Sequence, residues 1–259
     1  MVATRVDALA SEAGVLSRLA GGAIAVFLDF DGTLATVTPD PADTTLDERM
    51  REVLCTLANH CFVAVVTGRA LDDVRVKVGL SSLSYAGCHG FEIAGPGFDF
   101  VREPSLRRSF DTLAIELARV AADFEGLIVE AKGYSISVHH ARTPPACLPA
   151  LEAAVALLVE RSPGIRRAVG RNIIELRPAI DWHKGSAVKW MLEQQADARA
   201  LVPVYVGDDR TDEDALAVVA DSGIGIVVGE PSWPSSARFR LRDPSAVGEF
   251  LRRLVDVRS

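Results

Sequence analysis

Short, continuously apolar runs alternate with amphipathic stretches at both ends of this 259-residue chain. Ala23–Leu28, Phe62–Val66, Val202–Val206 and Ile224–Val228 are apolar at nearly every position, as strands buried on both faces are. Between and after them, helices are predicted over Leu46–Ala58, Leu71–Val78, Ser186–Gln194, Asp212–Ala220 and Ala246–Val255. Alternation of this kind predicts an α/β fold: a Rossmann-like parallel sheet covered by helices.

The middle of the chain has a different rhythm. Leu106, Phe110, Leu113, Leu117, Val120 and Phe124 recur at steps of three and four, or close to it, predicting an amphipathic helix over Ser105–Phe124. Leu127–Glu130 and Tyr134–His139 flank Lys132–Gly133, and the second alternates apolar and polar residues like a half-exposed antiparallel hairpin. A helix over Leu148–Val159 follows Pro144–Pro145, and strands over Ile165–Val169 and Asn172–Leu176 meet at Gly170–Arg171. The order helix, two strands, helix, two strands predicts a smaller α+β unit inserted into the α/β domain. The expected division is a core of 1–103 and 181–259 around an insert of 104–180.

Composition changes this picture little. A charged fraction of 24% and a formal charge of −7 are ordinary for a globular protein and give no reason to expect nucleic-acid or anionic-membrane binding. No apolar run is long enough to cross a bilayer. Cys55, Cys61, Cys88 and Cys147 form no CxxC pair. Cys55 and Cys147 fall in apolar helical patterns, so buried thiols in a reducing, cytoplasmic compartment are expected.

The chemistry concentrates where apolar strands end. VFLDFDGTL places Asp29 and Asp31 after Val26–Leu28, and residues two apart in an extended segment point to one side. VAVVTGR ends a strand at Thr67, Gly68 and Arg69; HKG places Lys184 before a helix; VYVGDDRTDED ends a strand in Asp208, Asp209 and Asp212. Ligand sites in open α/β sheets form outside the carboxyl ends of strands, so these groups are expected in one crevice. A carboxylate can attack phosphorus, and a second can protonate the departing alkoxide and then deprotonate water. Carboxylates approach a phosphate dianion only with compensating positive charge. A hard cation with oxygen ligands, Mg²⁺ above all, supplies it from Asp29, Asp208 and a backbone carbonyl near Asp31. Lys184 adds a fixed charge, and Thr67 can donate to phosphoryl oxygens. General acid catalysis supplies about 10²–10⁴, whereas phosphate monoester hydrolysis needs accelerations near ~10²¹. The groups therefore have to act together. Neither GxGxxG nor GxxxxGK occurs, so dinucleotide and P-loop chemistry have no support.

These four motifs resemble those of the haloacid dehalogenase (HAD) superfamily of aspartate-nucleophile phosphotransferases. The likeness extends to trehalose-6-phosphate phosphatases through LDFDGTLATVTPDP (Leu28–Pro41), AGCHGFE (Ala86–Glu92), EAKGYSISVHHAR (Glu130–Arg142), ELRP (Glu175–Pro178) and VGDDRTDEDA (Val206–Ala215). The resemblance implies a HAD core with an inserted cap that reads the sugar. It implies Asp29 as nucleophile, Asp31 as acid/base, and Mg²⁺ held by Asp29, the Asp31 carbonyl and Asp208. Asp209 or Asp212 would be a further ligand or an orienting group. Gly68 and Arg69, His89, and the cap residues Lys132, His139, Arg142, Glu175 and Arg177 would face substrate. For His139 and Arg142 the alternative is a plain solvent-facing strand residue; for His89, and for Glu92 beside it, it is bracing a turn. Two departures bear on specificity: Cys88 replaces a small hydroxyl residue, and His183 precedes Lys184 where an acid is common. The implied activity is hydrolysis of trehalose 6-phosphate, with functional coupling to a trehalose-6-phosphate synthase. Another sugar phosphate (sucrose 6-phosphate or a glycosylglycerate phosphate) is the alternative substrate. A catalytically silent sugar-phosphate sensor would have lost the nucleophile, acid or lysine, and all are present.

Overall fold

The computed structural model describes residues 5–9, 12–38, 40–170, 172–196 and 200–258. Pro39, in the extended first motif, and Arg171, in the turn predicted beside Gly170, lie outside the described residues. In chain order the elements are β1 (Val6–Asp7), α1 (Glu12–Ala20), β2 (Ile24–Leu28), α2 (Glu48–Leu57), β3 (Phe62–Val66), α3 (Leu71–Val78), β4 (Ser84–Gly87), β5 (Glu92–Gly95) and β6 (Phe98–Val101). Then come α4 (Pro104–Ala121), β7 (Ile128–Ala131), β8 (Ile136–His139), α5 (Leu148–Glu160), β9 (Ile165–Gly170) and β10 (Ile173–Pro178). The last stretch holds α6 (Lys184–Glu193), β11 (Val202–Gly207), α7 (Glu213–Val219), β12 (Ile224–Val228), β13 (Phe239–Leu241) and α8 (Pro244–Asp256). The chain divides into two compact units, residues 1–100 with 182–259, and residues 101–181.

The first unit is built on a sheet ordered β1-β13-β12-β11-β2-β3-β4-β5-β6. From β1 to β4 every pairing is parallel, and β5 turns back antiparallel to β4. Strand periodicity explains how the layers form. Ile24, Val26 and Leu28 of β2, Val63 and Val65 of β3, and Val204 and Val206 of β11 face one way. They pack with Leu16 and Leu19 of α1, Leu54 and Leu57 of α2, Val74 of α3, and Phe250 and Leu254 of α8. The intervening Ala25, Phe27, Ala64, Val66 and Tyr205 face the other way, onto Ala187, Val188 and Met191 of α6 and Leu216 and Val219 of α7. Each fully buried Val, Leu or Phe contributes about 2 kcal/mol or more, so the strands read as continuous apolar runs because both faces are covered.

From β2 the chain runs outward through β3 and β4; β11, β12 and β13 fill the other side. The sheet therefore reverses its order of filling between β2 and β11. In open α/β sheets that point, at the carboxyl ends, is where a crevice opens.

The second unit is a four-stranded antiparallel sheet, ordered β7-β8-β10-β9. Ile136, Val138, Ile174 and Leu176 on one face pack with Phe110, Leu113 and Leu117 of α4 and with Leu151 and Val155 of α5. Steps of three and four on the helices meet steps of two on the strands, which makes a core belonging to this unit alone.

Several elements depart from the sequence reading. Helix α6 starts at Lys184 itself, because the His183 ring accepts from Ser186 N (3.3 Å) and acts as its N-cap. Strands β1 and β13 have two or three residues, too few to show a period, and helix α1 was not anticipated. The hairpin β5–β6 was missed too, being two four-residue strands interrupted by Gly95 and Gly97. The expectation of buried thiols at Cys55 and Cys147 is corrected: Cys55 is exposed on α2, Cys147 is half-buried just before α5, and Cys88 is the buried one. Among the described residues no helix is long and apolar enough to cross a membrane.

Candidate active site

Asp29, Thr67 and Asp208 are delivered by three adjacent parallel strands. Leu28 pairs with both Val65 and Val206, so the chain beyond β2, β3 and β11 emerges side by side at one edge. Asp29 shares strand parity with Phe27, which directs it toward the face covered by α6. There it meets Lys184, whose Nζ donates to Asp29 Oδ1 at 2.6 Å and to Asp212 Oδ1 at 2.7 Å. Asp29, Lys184 and Asp212 are all buried. An ammonium group almost without solvent contact needs such partners, since an unpaired buried charge is very costly.

Asp212 accepts four hydrogen bonds. Oδ1 takes Lys184 and the hydroxyl of Tyr205 (2.6 Å); Oδ2 takes the backbone N–H groups of Asp208 (3.1 Å) and Asp209 (2.9 Å). Tyr205 was missed from sequence. Its signal is legible in retrospect: it is the polar-tipped residue inside the apolar strand PVYVG, with the parity that points it at α6. Asp209 is exposed, forms a capping box with Asp212, and accepts from Thr211 Oγ1 at 3.2 Å.

The Asp208 carboxylate accepts from Thr33 Oγ1 (3.1 Å) and lies within hydrogen-bond reach of Asp29. It sits so close to Gly32 that a Cβ there would overlap it, and Gly32 has φ +81. Position 32 therefore requires glycine on two counts. The first motif's glycine both turns the chain and makes room for the fourth motif's acid.

The electrostatics follow from crowding. Burial, reinforced by Asp212 and Asp208 against the pull of Lys184, holds the Asp29 carboxyl well above its ordinary range. Burial and then Asp212 push Asp208 up to about 6. For Lys184 burial disfavours the cation, but Asp212 and Asp29 outweigh it and leave its pKa above the usual value. Oxygens of Asp29, Asp208 and Asp212 lie within 4.8 Å of one another. An all-carboxylate set in which Asp29 and Asp208 resist ionising side by side fits a hard divalent cation.

Asp31 is held differently. Arg69 grips both of its oxygens, Nε to Oδ2 at 2.7 Å and Nη2 to Oδ1 at 2.6 Å, while also bonding Asp73 and the carbonyl of Pro41. His89 lies at the end of β4, with its ring against Gly68. Cys88 and His89 both adopt left-handed backbone angles, φ 50 and 57. Hydrogen bonds from Cys88 N to Arg69 O (2.7 Å) and from His89 N to Thr67 O (2.9 Å) hold them there. Strain so closely constrained is a mark of functional turns.

Residues 27–245 match the family model described as trehalose-phosphatase. The chain belongs to the trehalose-phosphatase family. The Oryza sativa subsp. japonica protein named "Probable trehalose-phosphate phosphatase 3" is 35% identical over 279 residues, covering 97% of this chain and 75% of that protein. The Mycobacterium tuberculosis (strain ATCC 25618 / H37Rv) protein named "Trehalose-phosphate phosphatase" is 38% identical over 238 residues, covering 89% of this chain and 61% of that one. A solved structure titled as a trehalose-6-phosphate phosphatase related protein superposes with a TM-score of 0.75 at 24% identity, covering 89% of this chain and 96% of its own, and so supports the fold.

This trehalose-phosphatase chain also gathers most of its predicted sugar-facing residues on one surface of the second unit. Glu130, Ser137 and Glu175 are direct cross-strand partners. His139 and Arg177 lie two residues along the same strands, so they share that face, opposite the one packed on α4 and α5. Lys132 and His139 both reach Glu130 Oε2, at 3.0 and 3.3 Å, and Arg177 reaches Glu175 Oε2 at 2.6 Å. Glu130 was not anticipated. Arg142 instead sits in the exposed turn after β8.

Proposed function

We propose that the protein hydrolyses trehalose 6-phosphate to trehalose and phosphate, with Mg²⁺ as cofactor and through an aspartyl-phosphate intermediate. The observation that carries this reading is Asp29 and Asp208 converging with Lys184 at the end of β2. Asp29 is the nucleophile: an oxygen of its carboxylate attacks phosphorus as the bond to the sugar O6 breaks. Asp31 donates a proton to that departing oxygen, then takes one from the water that attacks phosphorus and releases Asp29. For Asp31 to carry a proton, Arg69 gives up at least one of its two bonds to it; the freed guanidinium then faces the substrate side with Thr67, Gly68 and His89. Lys184 neutralises part of the phosphoryl charge and fixes the attacking carboxylate. When bound to Asp29, Asp208 and the Asp31 carbonyl, the divalent cation supplies positive charge that favours ionised carboxylates beside a dianion. Asp212, its oxygens saturated by donors, orients Lys184 and the loop carrying Asp208, and Asp209 caps that loop.

The open sheet face of the second unit, with Lys132, His139, Glu175 and Arg177, is the proposed reader of the sugar. Carboxylates paired with cations suit acceptance from sugar hydroxyls, and Arg142 is an outlying contributor. A cytoplasmic location fits four free cysteines, and coupling to a trehalose-6-phosphate synthase would supply the substrate. The test is phosphate release from a panel of sugar phosphates, with and without EDTA and Mg²⁺. Trehalose 6-phosphate is expected to show the highest kcat/KM, EDTA to stop turnover and Mg²⁺ to restore it. A preference for sucrose 6-phosphate would overturn the substrate, and indifference to EDTA the cofactor.

A further inference from the structure

Three aromatic residues meet where the chain leaves and re-enters the first unit. Phe100 is the last residue of that unit before the insert and Trp182 the first after it. Their rings lie 5.6 Å apart, and Phe100 also stacks on Trp190 of α6 at 4.5 Å. The indole N–H of Trp182 donates to the carbonyl of Gly90 at 2.8 Å. Gly90 has φ +94, and a Cβ there would overlap that of Ala187, one helical turn beyond Lys184. The turn carrying His89 is thus gripped between Trp182 and the first turn of α6.

We propose that Trp182 is a positioning residue for the phosphatase reaction: its indole N–H, with its ring packed at a tilt against Phe100, holds the strained Cys88–Gly90 turn, and with it the imidazole of His89, in register with Thr67 and with the start of α6. The physical case is one of over-determination. Two consecutive non-glycine residues at positive φ are strained and persist only where surroundings enforce them. Two of the bonds enforcing them are backbone contacts to the Thr67–Arg69 loop. The Trp182 bond is a side-chain tie from the turn to the residue just before α6. Lys184 is locked by its own bonds to Asp29 and Asp212. Loss of the indole N–H therefore removes one of the ties on the turn carrying His89 and leaves the bonds of the nucleophile and lysine in place. Packing alone would not separate these two effects.

The inference rests on the proposed reading of His89 as a substrate-facing group, and a double-mutant cycle tests it. Trp182→Phe keeps a ring against Phe100 and removes the donor. KM for trehalose 6-phosphate is expected to rise about tenfold, the scale of one misplaced hydrogen-bonding group, with kcat within about threefold of wild type. His89→Ala should raise KM comparably, and the double variant should be no worse than His89→Ala alone, because the residues act as one unit. Trp182→His, a smaller ring that retains an N–H, should recover most of the loss, and it carries the test if Trp182→Phe does not fold. Independent, multiplicative effects would overturn the proposal, as would an unchanged KM in folded Trp182→Phe or a Trp182→His variant no better than phenylalanine. Wild-type protein that cleaves p-nitrophenyl phosphate but not trehalose 6-phosphate would remove the substrate reading, with the cycle still readable on the aryl ester.

Discussion

Asp29 carries two burdens that conflict at the scale of a single residue: as the proposed nucleophile it must be ionised to attack, and it is buried beside two other acids. Its raised proton affinity means that the ionised form opposes folding in metal-free protein. Asp29→Asn should therefore abolish phosphate release, by at least about 10³-fold, without lowering the melting temperature measured in EDTA at pH 7. A large drop in stability would assign Asp29 a structural role instead. Asp208 gives a sharper pH signature. With a folded-state pKa raised to about 6, its stability contribution is fully present below the unfolded value of about 3.9. It is lost as pH rises through about 6. In EDTA, the wild type should thus lose stability relative to Asp208→Asn between about pH 4 and 7, and Mg²⁺ should flatten the difference. Parallel melting curves for the two proteins across that window would refute the assignment.

At the scale of elements, what the sequence made legible and what it hid have separate physical causes. β2, β3 and β12 are covered on both faces, so runs that are apolar at all or nearly all of five positions announce them, and the ends of β2 and β3 direct attention to Asp29 and Thr67. Strand β4 (SYAG) is equally buried yet has Tyr85 as its single large side chain among small residues, and β5 and β6 are short and broken by glycine. Their positions come from pairing with neighbours, which no local pattern records. The site divides the same way. Asp29, Lys184 and Asp208 are the charged residues that their motifs display, whereas Tyr205 and Glu130 stand inside quoted segments and matter through the partners the fold brings to them, Asp212 at 2.6 Å and Lys132 at 3.0 Å. Helix α8 offers a test of local logic: Asp243 caps it by accepting from Ala246 N at 2.9 Å, with Pro244 at the first position. Asp243→Ala should cost about 1 kcal/mol, read as a shifted urea midpoint with unchanged slope and unchanged kcat. No shift would mean the helix is fixed wholly by Phe250, Leu251 and Leu254.

Charge is unevenly divided over the whole molecule. The segment 101–181 contains eleven basic and ten acidic residues, so a formal total of −7 leaves the first unit at −8. That unit is the one proposed to receive a phosphate dianion, in a site where Asp29, Asp208 and Asp212 outnumber Lys184. Lys184 is already spent on two of those acids and Arg69 on Asp31, so the unaided site repels the substrate's reacting end. In the proposed reaction a divalent cation reverses the local sign, and the proposed sugar-reading residues belong to the nearly neutral second unit. Affinity should then split by unit. In the inactive Asp29→Asn protein, calorimetry should detect trehalose 6-phosphate binding with Mg²⁺ and little or none in EDTA. Glu175→Gln should weaken the Mg²⁺-supported binding of trehalose 6-phosphate by about tenfold, one charge-assisted hydrogen bond, and leave inorganic phosphate unaffected. Equal loss for both ligands would place Glu175 in the structure of the sheet rather than in recognition. Undiminished binding in EDTA would show that positive charge comes from side chains these interactions do not leave free.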